Sequence, residues 1–302
     1  MTTGSWVEIV EHNTTAYGDL VAGIDPSLSD VPAFLDRGGT GSWVDRFVNF
    51  VLDSVEGQVG FVKFQSAYFE ACGLPGLAAL SAGMKRARSA GIGVILDAKR
   101  GDIGSTAAAY AKAYLTPAAE GGSGDFEADC LTVNPLMGPD TLEPFVDCAN
   151  RFGKGLFVLC RTSNPGARWL QDRMTGNRLV SDRVADLIAS LAETATAPHG
   201  LNPIGAVIGA TVPQDGRRLR QLLPDSIILA PGLGAQGGDP ASIHALRGTM
   251  RGDLLIPVSR GLTRTDDRDM SPRHYRQVIR DRLAVFKAAI SYDYHNGQAI
   301  PA

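Results

Sequence analysis

Eight short apolar runs punctuate the chain, and each ends in a polar or charged residue or a glycine or proline turn: DLVAGID (19–25), GFVKFQ (60–65), GVILDAK (93–99), ADCLTVN (128–134), GLFVLCR (155–161), IGAVIGA (204–210), IILAPG (227–232) and LLIPVS (254–259). They do not alternate apolar with polar residues, as a strand wetted on one side would, so each reads as a parallel strand buried on both faces. Between them lie segments of helical period: 43–55, 77–91, 140–153, 180–195 and 274–290. Strands alternating with helices eight times over predict an α/β fold, a closed (β/α)8 TIM barrel, with an open doubly wound sheet as the alternative.

A chain of 302 residues suits either one large barrel or two ordinary domains. No composition shift marks a linker, so the expectation is a single barrel domain over 1–302. Two connections, 116–129 and 162–178, exceed the usual length and read as loop insertions. The formal charge is −3 with both signs interspersed, which leaves no field suited to nucleic acid or an anionic membrane. No apolar run approaches the roughly 18 residues of a membrane helix. The four cysteines form no CxxC pair and MTTGSWVEIVEHNTT carries no basic-then-apolar leader pattern, so a reduced, cytoplasmic protein is expected.

In such a barrel, chemistry gathers where the strands end. Here those ends supply Asp25, Lys63, Asp97, Lys99, Asn134, Arg161 and Arg260. Any one of them reads equally well as a solvated loop charge. Asp97 and Lys99, with Asp102 just beyond, form a denser cluster. Two residues apart on a strand, Asp97 and Lys99 point to one side, which in a barrel can be the interior. Opposite charges in a partly dry mouth stabilise each other, leaving Lys99 a fixed ammonium suited to donating a proton. Two carboxylates and a lysine also suit a structural ion pair or a divalent metal, but Lys63 adds a second cation where a metal needs oxygen ligands.

After the seventh and eighth strands come PGLGAQGGDP (231–240) and VSRG (258–261). Loops at these places commonly bind phosphate through backbone N–H groups. Their glycines permit close approach, and Gln236 and Arg260 offer directional donors. The five histidines fall away from the strand ends, so a histidine relay has no support.

The stretch from Asp97 through Lys99, Asp102 and Ile103 to Thr106 resembles the D-x-K-x-x-D-I-x-x-T signature of the orotidine 5′-monophosphate decarboxylase family. Asp25 in GIDP, Lys63 in VKFQ, Ser163 in TSNPG, the PGLGAQGGD loop and Arg260 in VSRG match the family's other motifs in the same order, over residues 19 to 261. The length and two long loops resemble the longer bacterial subgroup. The resemblance implies decarboxylation of orotidine 5′-monophosphate to uridine 5′-monophosphate, with neither metal nor organic cofactor. It implies Lys99 as proton donor, Asp97 beside the departing carboxylate, Lys63 and Asp25 at the ribose, and Ser163 at the pyrimidine edge. Gln236 and Arg260 would hold the 5′-phosphate, and Thr106 would belong to the substrate-binding set. Asp102 would enter from a neighbouring subunit, making a homodimer. The D-x-K-x-x-D core alone is shared with metal-dependent sugar-phosphate lyases, which place a carboxylate where this chain has Lys63. A non-catalytic phosphate-binding barrel is the remaining alternative, opposed by Lys99.

Overall fold

A computed structural model describes residues 4–37, 41–195, 200–211, 213–234, 238–294 and 297–299. Eight parallel strands close into a barrel: β1 (Leu20–Ile24), β2 (Phe61–Gln65), β3 (Gly93–Arg100), β4 (Cys130–Val133), β5 (Gly155–Arg161), β6 (Asn202–Ile208), β7 (Ser226–Leu229) and β8 (Leu254–Val258). Each strand pairs with its sequence neighbours, and β1 pairs with β8 to close the ring. The expected TIM barrel is therefore the fold, and the open sheet is not.

Burial on both faces explains the continuous apolar runs. In β1, Leu20, Ala22 and Ile24 pack outward under the helices, while Val21 joins an inner cluster with Phe61, Ile95, Cys130, Phe157 and Leu255. The helix Trp43–Val55 begins where its period predicts. Ser42 caps it by accepting the Asp45 N–H, and Val44, Phe47, Val48 and Val51 turn to the core.

Among the described residues, three helices of ten or more residues lie outside the segments expected from periodicity. The helix Trp6–Tyr17, closed at its start by a Ser5–Glu8 capping box, plugs the end of the barrel where the strands begin. Its Trp6 ring meets Phe61 at 5.9 Å and Phe157 at 6.2 Å, both edge-on. Such a buried ring contributes about 3 kcal/mol from apolar area alone. Gly155 permits this approach, since a Cβ there would lie 2.2 Å from Trp6. The helix Gly104–Leu115 is alanine-rich and buries only Ala107, Ala111 and Leu115. The helix Pro213–Leu222 is mostly polar and packs through Gly216, Leu219 and Arg220. Neither presents a broad apolar stripe.

Of the two long connections, 116–129 holds only the short 3-10 turn Ala118–Glu120. The other, 162–178, folds into a 3-10 turn, Pro165–Trp169, and leads into a small hairpin pairing Met174–Thr175 with Arg178–Leu179. Among the described residues no helix is long and apolar enough to cross a membrane.

Candidate active site

The inward face of β2 begins with Phe61 in the apolar plug and continues with Lys63 and Gln65, two and four residues on. On β3 the same face runs from Ile95 to Asp97, with Gln65 registered opposite Asp97. Strand alternation thus carries two charged side chains to the level where the core gives way to a cavity.

Lys63 is 5% exposed, its Nζ 3.2 Å from Asp97 Oδ2 and 3.8 Å from Asp25 Oδ1. Burial alone would drive the amine towards neutrality, but Asp25 and Asp97 outweigh it and raise its pKa above the ordinary lysine value. Burial likewise opposes ionisation of Asp97, yet Lys63, Lys99 and hydrogen bonds from Lys99 and Thr132 bring its carboxyl down to about 2. Both groups are charged at neutral pH.

Lys99 reaches Asp97 by a different route from simple alternation. Its φ is +50°, the one positive value among the described non-glycine residues, and the pairing of β3 with β4 shifts register between Leu96 and Arg100. This bulge returns the Lys99 side chain to the mouth, where Nζ lies 2.5 Å from Asp97 Oδ1. Asp25, Lys63, Asp97 and Lys99 form an alternating row of charge along one wall.

That wall borders a cavity of about 800 Å³. The connection after β5 forms the facing side through Ser163, Asn164, Trp169 and Gln171. Gln171 ties it down, accepting the Thr162 N–H at 2.8 Å and donating to the Thr162 hydroxyl at 3.0 Å. Arg161 belongs to this support rather than to the cavity lining. It forks onto Asp172, with Nε 2.7 Å from Oδ1 and a terminal nitrogen 3.0 Å from Oδ2. The long loop 162–178 is therefore part of the site.

Arg260 lines the far end of the cavity with Ser259, Gly261, Gly232 and Leu233. The loop after β7 is pinched at its neck, where Gly238 N–H donates to Gly232 O at 2.9 Å. Gly232 at φ +121° and Gly234 at φ +76° adopt backbone conformations that favour glycine. Gln236, expected beside Arg260, lies outside the described residues.

Asp102 and Thr106 are not among the residues that line the cavity. Asp102 is half-buried and accepts the Ile103 N–H at 2.8 Å; Thr106 is exposed on the first turn of the helix Gly104–Leu115. Asn134 turns its carboxamide oxygen to the Leu136 N–H and shapes the loop after β4. Several residues in or behind the cavity lining escape a reading of charged strand ends: Gln65, Tyr68, Thr132 and Gln171. Gln65 and Thr132 had a signal, each lying two positions from a noted strand-end residue and so on its face. Tyr68 and Gln171 had none.

Chemically, the mouth offers an ammonium held beside open space by an ionised carboxylate, and a cationic, glycine-rich corner at the other end. The first can stabilise negative charge developing on a bound molecule and pass it a proton. The second suits an anion.

Comparison with known proteins agrees with this architecture. Residues 20–274 match the family model described as Orotidine 5'-phosphate decarboxylase / HUMPS family. The orotidine 5'-phosphate decarboxylase of Deinococcus radiodurans is 40% identical over 280 residues, covering 91% of this chain and 95% of that protein. That of Rhodopirellula baltica is 39% identical over 245 residues, 79% of this chain and 81% of its own. The solved structure of Leishmania donovani OMP decarboxylase superposes with a TM-score of 0.67 at 32% identity, covering 93% of this chain and 99% of the other.

Proposed function

Because the chain belongs to the Orotidine 5'-phosphate decarboxylase / HUMPS family, we infer that it decarboxylates orotidine 5'-monophosphate to uridine 5'-monophosphate and CO2, the last step of de novo pyrimidine synthesis. The observation that carries the assignment to this site is the Asp25–Lys63–Asp97–Lys99 row facing the cavity.

Loss of CO2 breaks the bond between C6 and its carboxyl carbon and leaves the electron pair on C6, in the plane of the ring. The π system cannot absorb that pair, so fixed charge must stabilise it. Lys99 Nζ supplies that charge and then its proton to C6, and solvent returns a proton to the amine. Asp97 orients Lys99 and stands near the departing carboxylate. Lys63 and Asp25 hold the ribose hydroxyls, Ser163 reads the pyrimidine edge, and Arg260 with Gln236 grips the 5′-phosphate. Binding energy from that remote phosphate favours the rate when it draws residues 232 to 239 over the cavity and excludes water.

The same reading makes the protein a cytoplasmic homodimer of single-domain subunits, with Asp102 completing the partner subunit's site and Thr106 in the substrate-binding set. Supporting it, Ile103 (61% exposed), next to Asp102 in the chain, and Leu136 (71%) stand out from the connections after β3 and β4, and Leu74 (81%) from the start of the helix Gly73–Ser89 after β2. The experiment that tests the function is the ultraviolet absorbance of orotidine 5′-monophosphate mixed with purified protein, with and without EDTA. Conversion indifferent to chelator is expected. Failure of a folded protein to convert it, or activity that EDTA abolishes, would transfer the site to a sugar-phosphate substrate.

A further inference from the structure

Thr132 lies on β4 with no exposed surface. Its hydroxyl oxygen accepts the Lys99 backbone N–H at 2.9 Å, and its Oγ1 is 2.9 Å from Asp97 Oδ1. The direction of the second bond follows from the first. An N–H only donates and an ionised carboxylate only accepts, so the single hydroxyl proton goes to Asp97.

Both ends of this bridge need it. The bulge that turns Lys99 to φ +50° takes its N–H off the β3–β4 ladder, and the Thr132 hydroxyl gives that donor its partner. Asp97 uses its two oxygens differently, Oδ1 meeting Lys99 Nζ at 2.5 Å and Oδ2 facing Lys63 Nζ at 3.2 Å. A second donor on Oδ1 fixes which oxygen faces which lysine.

We propose that Thr132 is a positioning residue for proton transfer: one hydroxyl locks the left-handed Lys99 backbone and the rotation of the Asp97 carboxylate together, and so aims Lys99 Nζ into the cavity. It touches the cavity only through those two residues. The proposal rests on Lys99 being the proton donor, and it adds a residue outside the charged row.

Two variants separate the hydroxyl from its packing. Thr132→Val keeps the shape and removes both bonds; Thr132→Ser keeps the hydroxyl and removes only a methyl group. With orotidine 5′-monophosphate, Thr132→Val is expected to lower kcat by about a hundredfold, as small displacements of a reacting group do, with KM within about threefold of wild type. Its acid limb of kcat moves to higher pH, because the Asp97 carboxylate has lost a donor. Thr132→Ser restores kcat to within about threefold. Wild-type kcat and pH profile in Thr132→Val overturn the proposal. So does equal impairment of both variants, or a fall in melting temperature with unchanged turnover per folded molecule. The Asp97 carboxyl titration, followed by carbon NMR, reads the bridge without turnover. A midpoint unchanged in Thr132→Val overturns the bridge even if the enzymatic reading stands, whereas wild-type protein that leaves the substrate unconverted overturns the enzymatic reading and the proton-transfer role with it, but not the bridge.

Discussion

Lys63 and Lys154 are almost equally buried, 5% and 6% exposed, and both pair with aspartate, yet they stand at opposite ends of the barrel. At the mouth, Asp97 is flanked by two lysines, Lys99 and the Lys63 it shares with Asp25, and its carboxyl falls to about 2. At the end where strands begin, Asp129 shares Lys154 and Arg88 with Glu127, Arg88 reaching Asp129 at 3.2 Å and Glu127 at 2.7 Å. Burial dominates there, the second carboxylate adds to it, and the Asp129 pKa rises. The contrast teaches that burial and opposite charge do not by themselves make a site. Glu127, Asp129, Arg88 and Lys154 satisfy one another away from the main cavity; the mouth ends on Lys99, whose side chain is 43% exposed and pairs with one carboxylate among the described residues.

If spare capacity at Lys99 is what distinguishes the mouth, removing it should abolish function and spare the fold. Lys99→Ala is expected to lower kcat for orotidine 5′-monophosphate by more than about a thousandfold, the combined scale of proton transfer and electrostatic stabilisation. Its melting temperature should stay within a few degrees of wild type, since a half-exposed ion pair contributes about 1 kcal/mol or less. A steady-state assay paired with a thermal melt checks both, and near-normal turnover would erase the comparison. Lys154→Met should do the reverse. Leaving Glu127 and Asp129 with Arg88 alone should cost about 3 kcal/mol in a urea titration, the scale for breaking a buried ion pair, with kcat per folded molecule unchanged.

Why one end could be read in advance and the other could not follows from how charge is placed. Lys63 and Asp97 share strand parity with Phe61 and Ile95, so the period of two carries them to the interior without knowledge of any partner. The eight strands were legible for a related reason: parallel strands covered on both faces spell continuous apolar runs, and the closed ring follows from their number and their alternation with helices. The helix Trp6–Tyr17 was not, because its value lies in Trp6 meeting Phe61 and Phe157 far along the chain. Lys99 was foreseen at the mouth, but its bulge depends on how β3 registers with β4, which no local pattern encodes. Arg161 misleads as a strand-end charge because Asp172, its partner, sits in a loop with no period. Thr132 hides for the same reason, since parity turns it inward but only the folded bulge makes its hydroxyl a bridge.

The smallest expected effect asks whether Asp97 carries its depressed pKa as a stability term. A carboxylate whose pKa is lower when folded contributes stability that is fully present above its unfolded value, about 3.9, and is lost as pH falls through its folded value. For Asp97 that folded value is about 2, so the window is roughly pH 4 down to 2. The unfolded chain binds the proton first there, and acid therefore favours unfolding. The difference corresponds to about 2–3 kcal/mol. Other carboxylates titrate in the same range, so the measurement is a difference: urea midpoints of wild type and Asp97→Asn from pH 6 to pH 2. The variant should be less stable at pH 6, having left Lys63 with a weakened partner, and its curve should be flatter on the acid side by about that amount. Parallel curves would mean that the two lysines hold Asp97 no more tightly than solvent does, and the electrostatic contrast between mouth and base would fail even if Lys99 proved essential.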